Sequence, residues 1–399
     1  MNAADREPVL TGVGLHSASG GVDETWASLA AGKSSLVMAV PPGVRDFPAV
    51  PGAPAAGASP EELIENRKLV KYMSTTTAMA TVAAGRALMS AGLLADERRS
   101  ALGLFVTTGY AAFDLADVRG AIETARGSDG RLDLERMGRE GLRACHPLMP
   151  FKSLLNMPLG IISIAYGIRG ANCILYPGAD QGATCLEAAV RGVRRGRFDG
   201  ALVGGSSHGF SLLPIAMLLR SGRLARSSDE AAPHTASHRG LAPADAACFL
   251  VIEARAHAAI RGARILARID GASAGRSDGG ARARFSALAA DWERIARRRP
   301  DVLVSSGNVD EEADRAESEA IRSTWGAPPP RLASFDGLLG YHGAAAPFTA
   351  AALASKLLDE GAARLPRWGE TPPTAVLISI VDPDGGHGSL SLLSPGGAP

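Results

Sequence analysis

Cysteine is scarce in this 399-residue chain, and Cys145, Cys173, Cys185 and Cys248 have no CxxC spacing among them. That favours neither a cysteine-ligated zinc centre nor a disulfide framework, and points to buried free thiols. Phosphate-binding glycine motifs are missing too. Gly204-Gly205 runs into Ser206-Ser207-His208 without the Lys-Ser/Thr of a P-loop, and no GxGxxG opens a helix after a strand. The pair reads as close backbone packing at a strand end, and no metal or cofactor is implied. Lys and Arg number 42 against 41 Asp and Glu, so no nucleic acid and no anionic membrane is expected as the main partner. No apolar run is long enough to span a bilayer, and Met1 to Pro8 lacks the charged-then-apolar order of a secretory signal. The expected location is cytoplasmic. What is present is apolar: 46% hydrophobic residues fill one large core or two ordinary ones.

Strand and helix patterns alternate along the chain, which predicts an α/β architecture. Val9 to Gly14 reads as a first strand ending in glycines, and Asp23-Glu24-Thr25 opens a helix through Trp26 and Leu29. Pro41 to Pro60 reads as a loop or lid, Ser74 to Leu88 as a buried helix, and Leu104–Thr107 and Cys173–Tyr176 as strands. After Glu253 a second set begins, with strands at Ile265–Ile269, Asp301–Ser305 and Ala375–Ile380 and a buried helix from Ala346 to Leu358. Two halves are expected, residues 1–255 and 256–399.

Gly170 to Gly182 passes through Pro177-Gly178-Ala179-Asp180-Gln181 into a helical stretch that ends at Asp199-Gly200-Ala201-Leu202-Val203-Gly204-Gly205. Together with Asp23–Ser34, Asn156–Ile164 and Cys248–Glu253, this segment resembles the β-ketoacyl synthases, in order and spacing over nearly the whole chain. The resemblance implies a thiolase-like, duplicated five-layer αβαβα fold. It also places the family's nucleophilic cysteine, without a gap, on Ala179. A methyl group cannot hold an acyl chain as a thioester. Cys185, six residues on, has helical apolar neighbours and reads as packed. A decarboxylating variant of the family carries Gln at the nucleophile position, and here Gln181 stands two residues beyond it.

Two further positions are emptied in the same way. Val302 to Asn308, followed by Asp314 and Glu317, resembles the strand that ends in the first catalytic His, and the acids place Ser306 there. Serine cannot help decarboxylate a malonyl thioester as an imidazole does. Ser334 to Ala345 resembles the Lys-Ser…Gly-His…Gly-Ala-Ala segment. Anchored on Ser334 and Gly337, the Lys becomes Ala333 and the His becomes Leu338; anchored on Gly343, the His falls on Gly340. His342 fits neither register and reads as structural or surface. Asp384 to Leu390 resembles the C-terminal glycine loop, with Pro383 at the gating Phe position, where no rotamer can swing. Asp382 and Asp384 read as solvated loop acids.

A fold kept whole with its catalytic positions emptied resembles the chain-length factor, or ketosynthase β subunit, of type II polyketide and aryl polyene systems. The resemblance implies an active ketosynthase subunit as heterodimer partner, acyl carrier protein docking mainly on that partner, and a growing acyl or polyene chain in a shared tunnel. Phe113, Ala116 and Gly120 fall at the tunnel-end positions, with spacings of three and four on one helical face. Arg191, Arg194, Arg195 and Arg197 read first as an ordinary solvated helix face and second as a candidate patch for an acidic carrier. Two other readings remain: a malonyl or acyl carrier-protein decarboxylase or acyltransferase with an unrecognised nucleophile, and an acyl-chain or carrier-protein binding module.

Overall fold

The computed structural model describes residues 4–44, 46–110, 114–360 and 372–396. The first half contains β1 (Pro8–Ser17), α1 (Val22–Ala30), β2 (Val37–Ala39), β3 (Val50–Gly52), α2 (Thr75–Ser90), β4 (Gly103–Thr108) and α3 (Leu115–Thr124). It continues with α4 (Leu134–Arg139), α5 (Met149–Lys152), α6 (Met157–Tyr166), β5 (Asn172–Leu175), α7 (Ala179–Arg194), β6 (Gly200–His208), α8 (Leu212–Arg220) and β7 (Asp245–Ala254). The second half has α9 (Arg255–Ile260), β8 (Ala267–Arg276), α10 (Ala281–Ile295), β9 (Val302–Ser306), α11 (Glu311–Trp325) and β10 (Arg331–Ser334). It closes with α12 (Asp336–Leu339), α13 (Ala346–Glu360), β11 (Ala375–Val381) and β12 (Gly386–Leu393).

Ten strands hydrogen-bond in the order β10-β9-β11-β12-β8-β1-β7-β6-β4-β5. Split between β8 and β1, the two sets of five have one and the same order, third-second-fourth-fifth-first. Their pairings also correspond: β9 is parallel to β10 and β11, as β4 is to β5 and β6, while β11–β12 and β6–β7 are antiparallel. The seam is thin, with only Val9↔Arg268 and Leu10↔Ala267 in register. The boundary expected at residue 255 falls between β7 and α9.

Helices α7 and α13 lie between the two sheets in one continuous apolar core that includes Leu186, Val190, Phe348 and Leu353. Outside them, α2 and α6 cover the first sheet, and α10 and α11 the second. The result is the five-layer αβαβα arrangement. Glycine makes the close layers: a Cβ on Gly14 would stand 2.2 Å from the Ala83 carbonyl of α2, and one on Gly204 2.3 Å from the Phe249 ring. Capping fixes where α2 starts, the Ser74 hydroxyl accepting from the Thr77 N–H at 3.4 Å.

Three expectations need correction. The segment 41–60 is not all loop, since Val50–Gly52 pairs with β2 as a hairpin. The strand expected at Ile265–Ile269 runs instead from Ala267 to Arg276, held by β12 in antiparallel register. The C-terminal glycine loop continues directly into β12.

Candidate functional site

The strand–turn–helix at Leu175–Ala179 places Gly178 before α7 with φ +101°, a left-handed conformation that suits glycine. Ala179 is the first helical residue and is buried. Its N–H donates to Asp382 Oδ2 at 2.8 Å, and the Asp384 N–H donates to Asp382 Oδ1 at 2.9 Å. A Cβ at Gly178 would lie 2.4 Å from the same Asp382 oxygen. Asp382 is thus no solvated loop acid. It is 6% exposed, and burial pushes its carboxyl up to about 6, opposed by the two N–H donors and reinforced by the Asp180 charge. Asp384 accepts from Tyr110 Oη and from Arg223, each at 2.8 Å, so it too is tied down.

Beside this turn opens a cavity of about 140 Å³, walled by Tyr110, Met217, Leu218, Arg223, Tyr341 and Pro383 among others. Gly178 and Asp382 also line it, which puts Pro383 and the turn before α7 on one chamber. The chamber is mostly apolar, with Arg223, Asp382 and Asp384 as its charged lining.

Ser306 ends β9, buried, and shares a much smaller cavity of about 10 Å³ with Asp336, His342 and Thr349. His342 is therefore structural and not at the surface: it is 4% exposed, with Nδ1 3.2 Å from Thr349 Oγ1. Burial drives its pKa down to about 4, so it is neutral at pH 7. Asp336, on α12, accepts from the Gly307 N–H at 3.0 Å, and burial lifts it to about 6.

The acids that anchored this segment form a buried network that the sequence reading missed. Asn308 Nδ2 donates to Asp314 Oδ1 at 3.1 Å and to Glu317 Oε2 at 2.7 Å, and Ser305 Oγ donates to Glu317 Oε2 at 2.5 Å. His238 Nδ1 lies 2.7 Å from Asp314 Oδ2, and His234 Nε2 lies 3.1 Å from Glu317 Oε2. Burial lowers His234, but Glu317 and Asp314 outweigh it and raise the ring above its ordinary value. Burial raises Asp314, and the histidines more than reverse it. His208, at the end of β6, was missed too; its Nδ1 sits 2.9 Å from Asp245. The signal for the pair was His234-Thr-Ala-Ser-His238 in a polar loop, a spacing with no motif attached. Among the described residues no His, Cys, Asp and Glu group is arranged to hold a metal ion.

The remaining positions scatter. Leu338 sits in α12, half-buried, its carbonyl accepting from the Ser35 N–H at 2.7 Å. Gln181 turns its amide to Asp180 Oδ2 at 3.0 Å, which engages one of its two N–H donors. The Cys185 thiol donates to the Val106 carbonyl at 3.6 Å, and burial pushes it up to about 12. Phe113 lies outside the described residues. Ala116 is exposed on α3, whereas a Cβ on Gly120 would stand 2.6 Å from the Ala144 carbonyl of the same chain. The arginine patch is partly engaged: Arg191 pairs with Glu187 at 3.1 Å, and Arg194 donates to the Asp270 carbonyl at 2.9 Å.

Residues 6–258 match the family model for the Beta-ketoacyl synthase, N-terminal domain. The chain belongs to the β-ketoacyl synthase family. Among its relatives, the Tetracenomycin polyketide synthase ketoacyl synthase beta subunit of Streptomyces glaucescens is 28% identical over 332 residues, covering 80% of this chain and 77% of that protein. Among solved structures, the ishigamide ketosynthase/chain length factor superposes with a TM-score of 0.78 at 21% identity, over 98% of this chain and 100% of that one. A type II polyketide ketosynthase in complex with its acyl carrier protein, AntDE:AntF, gives 0.77 at 18% identity, over 98% and 99%. At those identities the likeness is one of fold, and it is the thiolase-like ketosynthase fold. No helix among the described residues is long and apolar enough to cross a membrane.

Proposed function

We propose that this β-ketoacyl synthase homologue is a non-catalytic subunit, a chain-length factor, that pairs with an active ketosynthase and shapes the tunnel for the growing acyl chain. The observation that carries the reading is the alanine methyl at the start of α7, where a covalent acyl intermediate requires a nucleophile. Ser306 and Leu338 supply no imidazole, and the nearby His342 is enclosed and neutral at pH 7. A decarboxylase or acyltransferase needs a reactive group, and Cys185 is buried as a thiol. The kinship with a ketosynthase beta subunit supports the pairing, and the carrier-bound ketosynthase of the same fold supports a carrier protein that docks mainly on the active partner. The carbon–carbon bond would form on the partner, with this chain supplying tunnel wall from Phe113 and Ala116 and a fixed wall at Pro383.

Intact mass after incubation of this chain with acyl and malonyl carrier protein tests the first half. No adduct is expected, and a stable acyl adduct lost in Cys185→Ala overturns the reading. Co-expression with an active ketosynthase tests the second half. A one-to-one complex by light scattering is expected; a stable monomer at low concentration that ignores the ketosynthase refutes it.

A further inference from the structure

We propose that Asp382 is an intramolecular anion occupying the place at the start of α7 where a substrate's developing oxyanion would otherwise be held, so that the chamber is closed to acyl thioester chemistry by charge as well as by loss of the nucleophile. The inference rests on the reading of Ala179 as the vacated nucleophile position.

The N-terminus of a helix is a natural anion site, because unpaired N–H groups and the helix dipole point outward there. In this chain the first N–H of α7 already donates to Asp382 Oδ2 at 2.8 Å, in a buried position. The carboxylate lies directly over Gly178, the residue whose missing side chain leaves the turn open, so no substrate oxygen fits between them. The next residue along that loop, Pro383, has no N–H to offer in compensation. A catalytic oxyanion hole requires donors left free and aimed at where negative charge appears. Here the donor is taken, and a second negative charge beside Asp382 would be repelled.

The charged and titratable groups around Asp382 come from five segments of the chain. Asp180 is on α7, Asp384 on the same loop, Tyr110 after β4 and Tyr341 after α12. Arg284 on α10 contributes the compensating positive field. Two of the nearest neighbours are acids, so removing the Asp382 charge relieves repulsion instead of exposing a bare cation.

The test places a titratable reporter in the vacated position. Ala179→Cys is labelled with [3-13C]cysteine in the full chain, and the Cβ shift of the new thiol is followed against pH by NMR, which needs no reagent to enter the chamber. The same measurement is made in Ala179→Cys with Asp382→Asn, and again with Asp382→Ser, each of which keeps an acceptor for the Ala179-position N–H without the charge. The four native cysteines serve as internal references. The expected result is a midpoint lower by about one pH unit or more in both double variants, a tenfold change in thiolate fraction at fixed pH. Coincident midpoints in the single and both double variants overturn the proposal. No carrier protein or acyl donor is involved, so this failure is distinct from detection of an acyl adduct on the natural chain.

Discussion

Replacing Ala116 with leucine or phenylalanine should shorten the product made with an active ketosynthase partner, while the same replacement at Gly120 should damage the fold first. The sequence spacing puts both on one face of α3, but their surroundings separate them. Ala116 is exposed among the described residues, so a larger side chain there should change stability by no more than about 0.5 kcal/mol. At Gly120 even one carbon would stand 2.6 Å from the Ala144 carbonyl. Overpacking against fixed backbone costs roughly 1–3 kcal/mol, and the better helix propensity of the new residue recovers at most about 1. The assay is co-expression of each variant, light scattering for the complex, urea unfolding of the purified chain, and mass spectrometry of product chain length. Unchanged lengths from an intact Ala116→Phe complex remove α3 from the tunnel. A Gly120→Leu chain as stable as the original would refute the packing argument.

Ala179→Cys alone should leave condensation undetectable, since no imidazole stands at Ser306 or Leu338 and Asp382 still faces the new thiol; any carrier-bound ketide product would sink this. Arg261→Met should cost about 3–5 kcal/mol in urea unfolding, because it strands the Glu253 carboxylate, which is 0% exposed and accepts from Arg261 Nε at 2.8 Å as well as from Thr11 and His257. Burial disfavours that carboxylate, but Arg261, His257 and Thr11 hold it down to about 2, so its contribution is present above pH 4.5 and fades as pH falls toward 2. His342→Leu should flatten the loss of stability between pH 6.5 and 4. The native ring's depressed folded pKa, about 4, means the unfolded chain binds the proton first, a contribution of at most roughly 3 kcal/mol at neutral pH that is lost on acidification. Asp336 and Asp382, raised to about 6, run the opposite way, so the comparison is between variant and parent at each pH. Parallel pH curves would count against a neutral buried His342.

Where side chains carried the signal, the fold was legible. Helix α2 and strand β11 have the apolar density that periodicity detects, and both lie close to their expected bounds. Strand β8 does not: Gly271-Ala272-Ser273-Ala274-Gly275 has no β-branched residue, and it is extended because β12 pairs with it and because small residues admit its neighbours. A Cβ on Gly271 would meet Ile295 at 2.7 Å, and one on Gly275 the His387 ring at 2.8 Å. Tertiary approach, invisible in local pattern, decided those residues. The site followed the same division. The absence of a nucleophile at Ala179 could be read from residue type, since no folding can turn alanine into one. That Asp382 caps the same helix from 203 positions away could not.

The loop histidines complete that contrast. Asp314 and Glu317 are buried near Ser306, and buried carboxylates persist only with compensating donors or positive charge. The compensation comes from the other side of the site, where the loop before β7 supplies His234 and His238, and Asn308 bridges both acids. His234 adopts φ 60°, a strained value for a non-glycine residue, while its N–H donates to Asp314 at 2.7 Å. A strained backbone held by a buried carboxylate is what is expected when the acids are fixed first by Asn308 and the loop conforms to them. The acids therefore act as a structural anchor, joining the loop before β7 to α11 beside the end of β9. Such an anchor holds the surrounding fold through side chains that Ser306 does not need to join.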